Sequence, residues 1–190
     1  MIYMNMFINE RSGSMPKIIP ELRQALIDAA RRRIVDGEHD ITIRQVAADC
    51  GTAVGTVYNY FPSKEHLMAS VMLVDWQQAT EELQGRVDQA RSVMSGLRAI
   101  DGALRRFIAI YRPAWDHYSA GSRRTEIVQD YHHMVVQQIA RGVELLMRRF
   151  GRRTYEGECI FLAETLLILS QREEAAFDRA TPVLERIIEN

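Results

Sequence analysis

The chain has 190 residues, of which 24 are basic, 25 are acidic and 47% are hydrophobic, so its formal net charge is -1. This composition is typical of a globular protein of one or two domains and excludes a globally disordered chain. Cys50 and Cys159 lie far apart and form neither a disulfide framework nor a metal-ligand spacing, and no apolar run reaches the roughly 18 residues of a membrane span. These features predict a cytoplasmic protein that has no metal, no cofactor and no membrane partner.

The first predicted element follows a segment without sustained periodicity. Residues 1–17 are interpreted as a flexible arm. From Pro20 onward, apolar residues recur at steps of three and four up to about Asp36, and Gly37 is a typical residue to follow a helix end. The pattern predicts a first helix between Pro20 and Asp36.

Two short helices are predicted next. Thr42 and Gln45 have the spacing of a capping box, in which each side chain accepts from the other residue's backbone N–H. A helix is therefore expected over 43–49. Gly51 can adopt the positive φ of a tight turn, and a second short helix is expected over 53–61.

Three residues are expected to delimit the second short helix and the helix after it. Thr52 is predicted to cap the start of the second short helix, and Pro62 interrupts the chain after it. Ser63 is then positioned to cap a long helix that begins at Lys64.

The remainder of the chain also has helical periodicity and no convincing strand-like alternation. An amphipathic stripe from Leu97 to Tyr111 is expected to stop near Pro113. Two long helices are predicted over 125–150 and 155–172. The chain is therefore predicted to be all-α, with a helical bundle after the short helices.

The two short helices have the spacing of a helix-turn-helix. Ala47 is small where the second helix presses on the first, and Gly51, four residues later, permits the turn. The first 70 residues contain eight basic and eight acidic side chains, so bulk charge neither supports nor excludes nucleic acid. The spacing itself indicates DNA binding, because it leaves one helix face free to enter a major groove.

A combined pattern of residues runs through this segment and continues into the next helix. With it the chain resembles the tetracycline-repressor (TetR) family of bacterial transcription regulators over roughly residues 22–71. The resemblance implies a small ligand that moves the long helix after the DNA-binding domain, and dimerisation through the last two long helices. The chain departs from the family at 52–54, where an apolar residue, a serine and a polar residue are frequent; this bears on which DNA sequence is read. The matching residues are Thr42-Ile43-Arg44, Val46-Ala47, Gly51, Gly55-Thr56-Val57-Tyr58, Tyr60-Phe61-Pro62-Ser63-Lys64-Glu65 and Leu67.

Several side chains of this segment suit contacts with phosphates. Lys64 begins a helix, where its ammonium group and backbone N–H groups can share a phosphate; the alternative is a solvated surface lysine. Tyr58 and Tyr60 are two residues apart and cannot share one helix face, so one is expected to pack and the other, preferably Tyr58, to face DNA. Thr42 can cap its helix or meet a phosphate, and Arg44 is either a DNA contact or an ordinary surface arginine.

Other residues suit contacts with the bases. Thr56 and Asn59 are the best polar candidates for base edges, and Val54 suits a thymine methyl group. Gly55 permits close approach of the backbone, with simple helix packing as the alternative. The predicted DNA-binding residues are Thr42, Arg44, Thr52, Val54, Gly55, Thr56, Tyr58, Asn59, Tyr60 and Lys64.

The predicted bundle carries aromatic and sulphur-containing side chains that suit a mostly apolar ligand cavity. Plain core packing is the alternative for each of them. His132 and His133 are adjacent on a helix and point about 100° apart, so they are not predicted to hold a metal. The run Arg31-Arg32-Arg33 is interpreted as a solvated helix face. The predicted ligand-binding residues are Met72, Trp76, Phe107, Tyr111, Trp115, His117, Tyr118, Tyr131 and Met134.

The sequence thus predicts a homodimeric, ligand-responsive transcriptional regulator, with a repressor preferred, that binds a palindromic operator in double-stranded DNA. Its small-molecule effector is unknown. The predicted division is an arm over 1–17, a DNA-binding domain over 18–65 and an effector-binding and dimerisation domain over 66–190. An interaction module whose helix-turn-helix does not bind DNA stays open, as does a fully intramolecular bundle. A small helical enzyme also stays open, although the chain has no serine-hydrolase, zinc-protease or phosphate-loop motif.

Overall fold

The structure, a computed structural model, describes residues 19–38, 40–119 and 126–189; within these ranges the side chains of 114–119 and 126–130 are not described. The described residues form eight helices and no strand, which confirms the all-α prediction. The helices are α1 Pro20–Val35, α2 Ile43–Asp49, α3 Val54–Tyr60, α4 Lys64–Asp88, α5 Val93–Ser119, α6 Glu126–Arg149, α7 Glu156–Ser170 and α8 Ala175–Glu189.

Helices α1 to α3 form a small head around fully buried side chains. Leu26 of α1, Val46 of α2 and Val57 of α3 have no exposed surface, so each helix contributes to one shared core. Gly37 and Gly51 take φ values of +86° and +61° at the ends of α1 and α2, in the left-handed region that favours glycine. The predicted helix end and tight turn are both confirmed.

The hydroxyl caps explain where two of these helices begin. Gln45 N donates to Thr42 Oγ1 over 3.2 Å and Thr42 N donates to Gln45 Oε1 over 2.8 Å, which confirms the predicted capping box. Ser63 Oγ accepts from His66 N at the start of α4, also as predicted. The prediction that Thr52 caps α3 is wrong: the N-cap residue is Ala53, and no side chain bonds there. Thr52 lies one position too early to reach the first free N–H groups.

The two threonines allow a matched test of the cap. We expect Thr42→Ala to lower the free energy of unfolding by about 0.5–2 kcal/mol, because a backbone N–H of α2 loses its acceptor. Thr52→Ala should change it by less than about 0.5 kcal/mol, because that hydroxyl caps nothing. Urea unfolding followed by circular dichroism measures both values. Equal losses in the two variants would contradict the assignment of the cap.

Helix α4 links the head to the rest of the chain. Its first turns place Leu67 and Val71 in the head's core, whereas Trp76 and Val87 belong to a second core formed with α5 to α8. Tyr111 of α5 packs into the head's core although it lies on the C-terminal side of α4. One helix therefore contacts both cores, and α5 reaches back to the head.

The second core is centred on α7, which is buried on more than one side. Cys159, Leu162 and Leu166 of α7 are buried, and α7 packs against α5, α6 and α8. The last helix, α8, was not delineated from the sequence; its buried face includes Phe177 and Leu184. The C-terminal helices thus form the predicted bundle.

The predicted stop near Pro113 is wrong, because α5 continues to Ser119. Proline removes the N–H that would bond the carbonyl of Ala109, four residues earlier. Both Ala109 and Pro113 are exposed, so water can satisfy that carbonyl and the helix continues. In an exposed stretch of a long packed helix, proline did not mark the end.

The prediction of a solvated arginine face is wrong for two of its three members. Arg33 donates to both oxygens of Asp49, over 2.6 and 2.8 Å, and also to Glu38, and thereby joins α1 to α2. The Arg33 hydrogen bonds hold the pKa of Asp49 below its usual value. Arg31 pairs with the buried Asp75 of α4, and only Arg32 is exposed.

Candidate nucleic-acid interface

Helix α3 has one anchored side and one exposed side. Val57 is fully buried in the head's core, whereas Val54, Gly55, Tyr58 and Asn59 are exposed. The helix sequence Val54–Tyr60 contains no charged side chain. Its free face therefore offers hydroxyl, amide and methyl groups, the groups that contact base edges in a major groove.

Gly55 lies on this exposed face without any packing reason to be glycine. A Cβ built at this position would meet nothing within 4 Å, and its φ is not in the left-handed region. The alternative that helix packing requires this glycine is therefore wrong. The missing side chain lowers the surface of α3 at this point and leaves room for another molecule to approach the backbone.

The two tyrosines of α3 are in different environments, in agreement with the prediction that they cannot share one face. The side chain of Tyr58 is 49% exposed. Tyr60 is partly buried against the head's core, and its hydroxyl accepts from the backbone N–H of Ile19 over 2.9 Å. Tyr60 thus connects the end of α3 to the start of α1, and Tyr58 is the one directed to solvent.

Positive groups flank α3 on the neighbouring helices. Arg44 is exposed on α2, and Lys64 is the first residue of α4. Lys64 Nζ lies 3.3 Å from Asp40 Oδ1, so a phosphate at this helix start would compete with a carboxylate. Thr42 is exposed, and Thr52 and Thr56 are partly buried. The predicted residues thus lie on α2, α3, the start of α4 and the turns between them.

The aromatic residues predicted to bind a ligand meet around α4 and α5. The rings of Trp76 and Phe107 are edge-to-face with centroids 5.2 Å apart, and those of Phe107 and Tyr111 lie 5.0 Å apart. Met72 packs against the head's core, whereas Tyr131 and Met134 of α6 pack against the second core. Trp115, His117 and Tyr118 have side chains outside the described residues.

Tyr131 is the polar exception in this group. Its hydroxyl oxygen is buried and has no hydrogen-bond partner in the described part of the chain. Burial raises the pKa of this phenol above its usual value, and the negative charge of Asp75 adds to the rise. A buried donor without a partner is costly, so this hydroxyl is the natural contact for a polar group of a bound molecule.

His132 and His133 are both exposed on α6. His132 Nε2 lies 3.2 Å from Glu164 Oε1 on α7, and both side chains are exposed. Within the described ranges no group of three or more His, Cys, Asp or Glu side chains has the geometry to hold a metal ion. None of the helices in the described ranges has both the length and the hydropathy of a membrane span.

Among the buried polar side chains that sequence reasoning missed, Asp75 joins the head to the C-terminal helices. Asp75 is 7% exposed and accepts hydrogen bonds from Arg31 of α1 and Tyr111 of α5. The available signal was an acidic residue inside the otherwise apolar stretch 71–76. The periodicity of α4 was interpreted as core packing, and no partner for that acid could be chosen from a single chain.

Comparisons with known proteins agree with this architecture. Residues 26–71 match the family model for bacterial regulatory proteins of the tetR family. The HTH-type transcriptional regulator BetI of Brucella anthropi is 28% identical over 118 residues, which cover 59% of this chain and 61% of the relative. The aligned part thus spans less than two thirds of that relative's length.

Solved structures show the same fold at low identity. Salmonella enterica GusR aligns with a TM-score of 0.61 and 15% identity, covering 94% of this chain and all of the other. The transcriptional regulator FadR from Bacillus subtilis, solved in complex with stearoyl-CoA, aligns with a TM-score of 0.54 and 18% identity, covering 87% of this chain and 97% of the other.

The fold and the exposed α3 define a helix-turn-helix regulatory protein with a helical C-terminal domain. Residues 26–71 match the tetR family of bacterial regulatory proteins, and the relatives that align beyond this segment are transcriptional regulators. The resemblance found in residues 22–71 is thereby confirmed, and the family consists of regulators rather than enzymes.

Proposed function

We propose that this protein is a ligand-responsive repressor that binds a palindromic operator as a homodimer in the bacterial cytoplasm. The observation that carries the proposal is the uncharged, exposed face of α3 on a head whose neighbouring helices present Arg44 and Lys64. Side chains without charge suit the reading of base edges, and flanking cations suit the phosphates on either side. Residues 18–65 act as the DNA-binding domain and 66–190 as the effector-binding and dimerisation domain.

In this proposal, different residues of the head contact the bases and the phosphates of DNA. Thr56 and Asn59 contact base edges, Val54 contacts a thymine methyl group, and Gly55 lets the backbone approach the groove. Arg44, Tyr58 and Lys64 contact phosphates together with the exposed Thr42. Thr52 lies at the start of α3 beside the same groove. Tyr60 supports the interface from behind, because its hydroxyl is already bonded to Ile19 N.

Dimerisation is proposed to involve α6 and α7. Phe161 and Ile168 are 55% and 54% exposed and lie seven residues apart, hence on one face of α7. Leu145 of α6 is also exposed. Exposed apolar side chains on a helix that already buries its other faces indicate a protein partner. A second copy of the chain would place two α3 helices about one DNA turn apart, as a palindrome requires.

The effector is proposed to bind between α4, α5 and α6. The aromatic group that includes Trp76, Phe107 and Tyr111 supplies apolar contact surface, with Met72 and Met134 at its edges. Tyr131 contributes the buried hydroxyl that has no partner within the described ranges. FadR from Bacillus subtilis, which has the same fold, was solved in complex with stearoyl-CoA. Trp115 and His117 remain candidates on sequence alone.

A gel-shift experiment tests the DNA-binding function. The full-length protein is titrated into the DNA upstream of its own gene, with a shuffled fragment of equal length as competitor. We expect one discrete complex with at least about 1,000-fold preference over the competitor. Equal affinity for both fragments at every salt concentration would overturn the proposal in favour of an interaction module without operator recognition.

Lys64 and Tyr58 make separable predictions. Lys64→Ala should reduce the slope of log affinity against log salt by about 0.9 per head, because one phosphate contact and its released counterion are lost. Tyr58→Phe should weaken binding without changing the slope, because the hydroxyl is uncharged. Fluorescence anisotropy at five salt concentrations measures both slopes.

The matched control for these variants is Arg91→Ala. Arg91 is exposed three residues beyond the far end of α4, a helix about 37 Å long that begins at Lys64. Arg91→Ala therefore removes the same charge away from the head. The DNA affinity of Arg91→Ala, and the slope of its log affinity against log salt, should equal those of the wild type. A slope for Lys64→Ala that matches the Arg91→Ala slope would remove Lys64 from the interface.

A further inference from the structure

Asp75 is a buried carboxylate at the junction of the head and the C-terminal helices. It is 7% exposed and lies near the middle of α4. Its Oδ1 accepts from Arg31 Nε of α1 and its Oδ2 accepts from the Tyr111 hydroxyl of α5, both over 2.5 Å. Three helices that are far apart in sequence are thereby joined through two oxygen atoms.

The two partners of Asp75 belong to different parts of the protein. Arg31 is on the first helix of the head, and its pKa is raised chiefly by the hydrogen bond to Asp75. Tyr111 is 3% exposed and is the residue of α5 that enters the head's core. Burial and the bond to Asp75 both raise the pKa of this phenol, so it stays a donor throughout the ordinary pH range.

The neighbouring residue connects the same point of α4 to the proposed effector site. Trp76 points about 100° away from Asp75 around the helix. Its Nε1 donates to Gln138 Oε1 of α6, and its ring packs against Phe107, which in turn packs against Tyr111. A rotation or shift of α4 would therefore change the contacts of Asp75 with the head and those of Trp76 with α6 together.

We propose that Asp75 is a positioning residue that fixes the head relative to α5, and so sets the distance between the two α3 helices of the dimer. The proposal rests on the proposed DNA-binding function. A buried carboxylate that accepts two hydrogen bonds suits this role because hydrogen bonds are directional. Apolar packing alone lets helices slide slightly past one another, whereas charge-assisted hydrogen bonds hold one geometry. The charge of Asp75 acts on the buried hydroxyl of Tyr131. An effector that bonds to the Tyr131 hydroxyl would therefore bind close to Asp75 and its two partners.

The spacing of operator half-sites reports the geometry directly. Wild type, Tyr111→Phe and Asp75→Asn are each used to select binding sites from a library in which two copies of the half-site are separated by 0 to 12 base pairs. We expect the wild type to select one spacing. Tyr111→Phe, which removes a single oxygen atom, should accept at least two further spacings, and its affinity for the wild-type site should fall roughly 5- to 150-fold.

The control is Arg98→Gln, which breaks an ion pair with Asp178 between α5 and α8, away from the head. It should keep the wild-type spacing and affinity. Hydrogen exchange on the intact proteins separates positioning from unfolding: amides of α1 and the middle of α5 should exchange faster in Tyr111→Phe, whereas α7 should not. If Asp75→Asn fails to fold, the Tyr111→Phe data decide the question.

The outcomes separate this inference from the function on which it rests. If the wild type selects no DNA, the proposed function fails. If the wild type selects one spacing and Tyr111→Phe keeps it with an affinity within twofold, the positioning role of Asp75 is overturned while DNA binding stands. A broad spacing in all proteins, including the wild type, would also overturn the positioning role.

Discussion

Replacing Phe161 by aspartate is expected to convert the proposed dimer to a monomer and to abolish binding to the proposed operator at nanomolar concentration. Phe161 is more than half exposed on α7, and Ile168 continues the same apolar face. A carboxylate at the centre of a buried interface loses its hydration without gaining a partner. A loss of about 3 kcal/mol, common for a central aromatic residue, raises the dimer dissociation constant more than 100-fold.

Sedimentation equilibrium measures the mass of one chain or of two, and anisotropy measures DNA affinity on the same samples. The matched control is Val183→Asp on α8, where a valine is 59% exposed. Arg179 and Arg186, one turn before and one turn after Val183, are exposed and charged, so the Val183→Asp variant should stay dimeric and bind DNA normally. If both aspartate variants dissociate, or neither does, α7 is not the dimer face.

The helices of the head were predictable because local rules determine them. The capping box at Thr42, the turn at Gly51 and the start of α4 at Lys64 each depend on residues within five positions of one another. Such contacts form in any chain with the same spacing, so a single sequence contains the information. The exposed position of Tyr58 followed from the helical period combined with the burial of Val57.

The contacts that join distant helices were not predictable in this way. Arg31 and Arg33 are separated by one residue, yet one pairs with Asp75 and the other with Asp49. Their partners depend on how α1 packs against α4 and α2, which the local pattern does not encode. The continuation of α5 through Pro113 has the same origin, because long-range packing outweighed a local helix-breaking preference.

The proposed ligand site also shows what a single sequence does not contain. The sequence singled out aromatic residues, and the structure brings Trp76, Phe107 and Tyr111 together. The sequence did not indicate which of the aromatic residues would have a hydroxyl group without a hydrogen-bond partner. The hydroxyl of Tyr111 is bonded to Asp75, whereas that of Tyr131 has no partner in the described part of the chain. Both residues are tyrosines, so residue type does not distinguish them. The hydrogen bonds between helices do: they make Tyr111 a link between α4 and α5 and leave Tyr131 as a candidate ligand contact.

The head and the C-terminal bundle have separate cores, so equal core truncations should have different consequences. Phe61 and Phe177 are each 1% exposed, and each has an arginine guanidinium over its ring, that of Arg23 at 5.3 Å and that of Arg98 at 4.6 Å. Phe61 packs in the head's core and Phe177 in the second core. The pair is therefore matched in residue type, burial and cation contact.

Phe61→Ala is expected to destabilise the core around it by about 3–5 kcal/mol, through lost apolar burial and the cavity left behind. Because Phe61 follows α3 directly, this loss should raise hydrogen exchange in α2 and α3, reduce operator binding at least 30-fold at 25 °C, and leave the dimer intact. Phe177→Ala should raise exchange in α8 and α5 instead and retain operator binding while the protein stays dimeric. If hydrogen exchange rises across all helices in both variants, the two cores unfold as one cooperative unit. That result would contradict the prediction that the head and the bundle unfold separately.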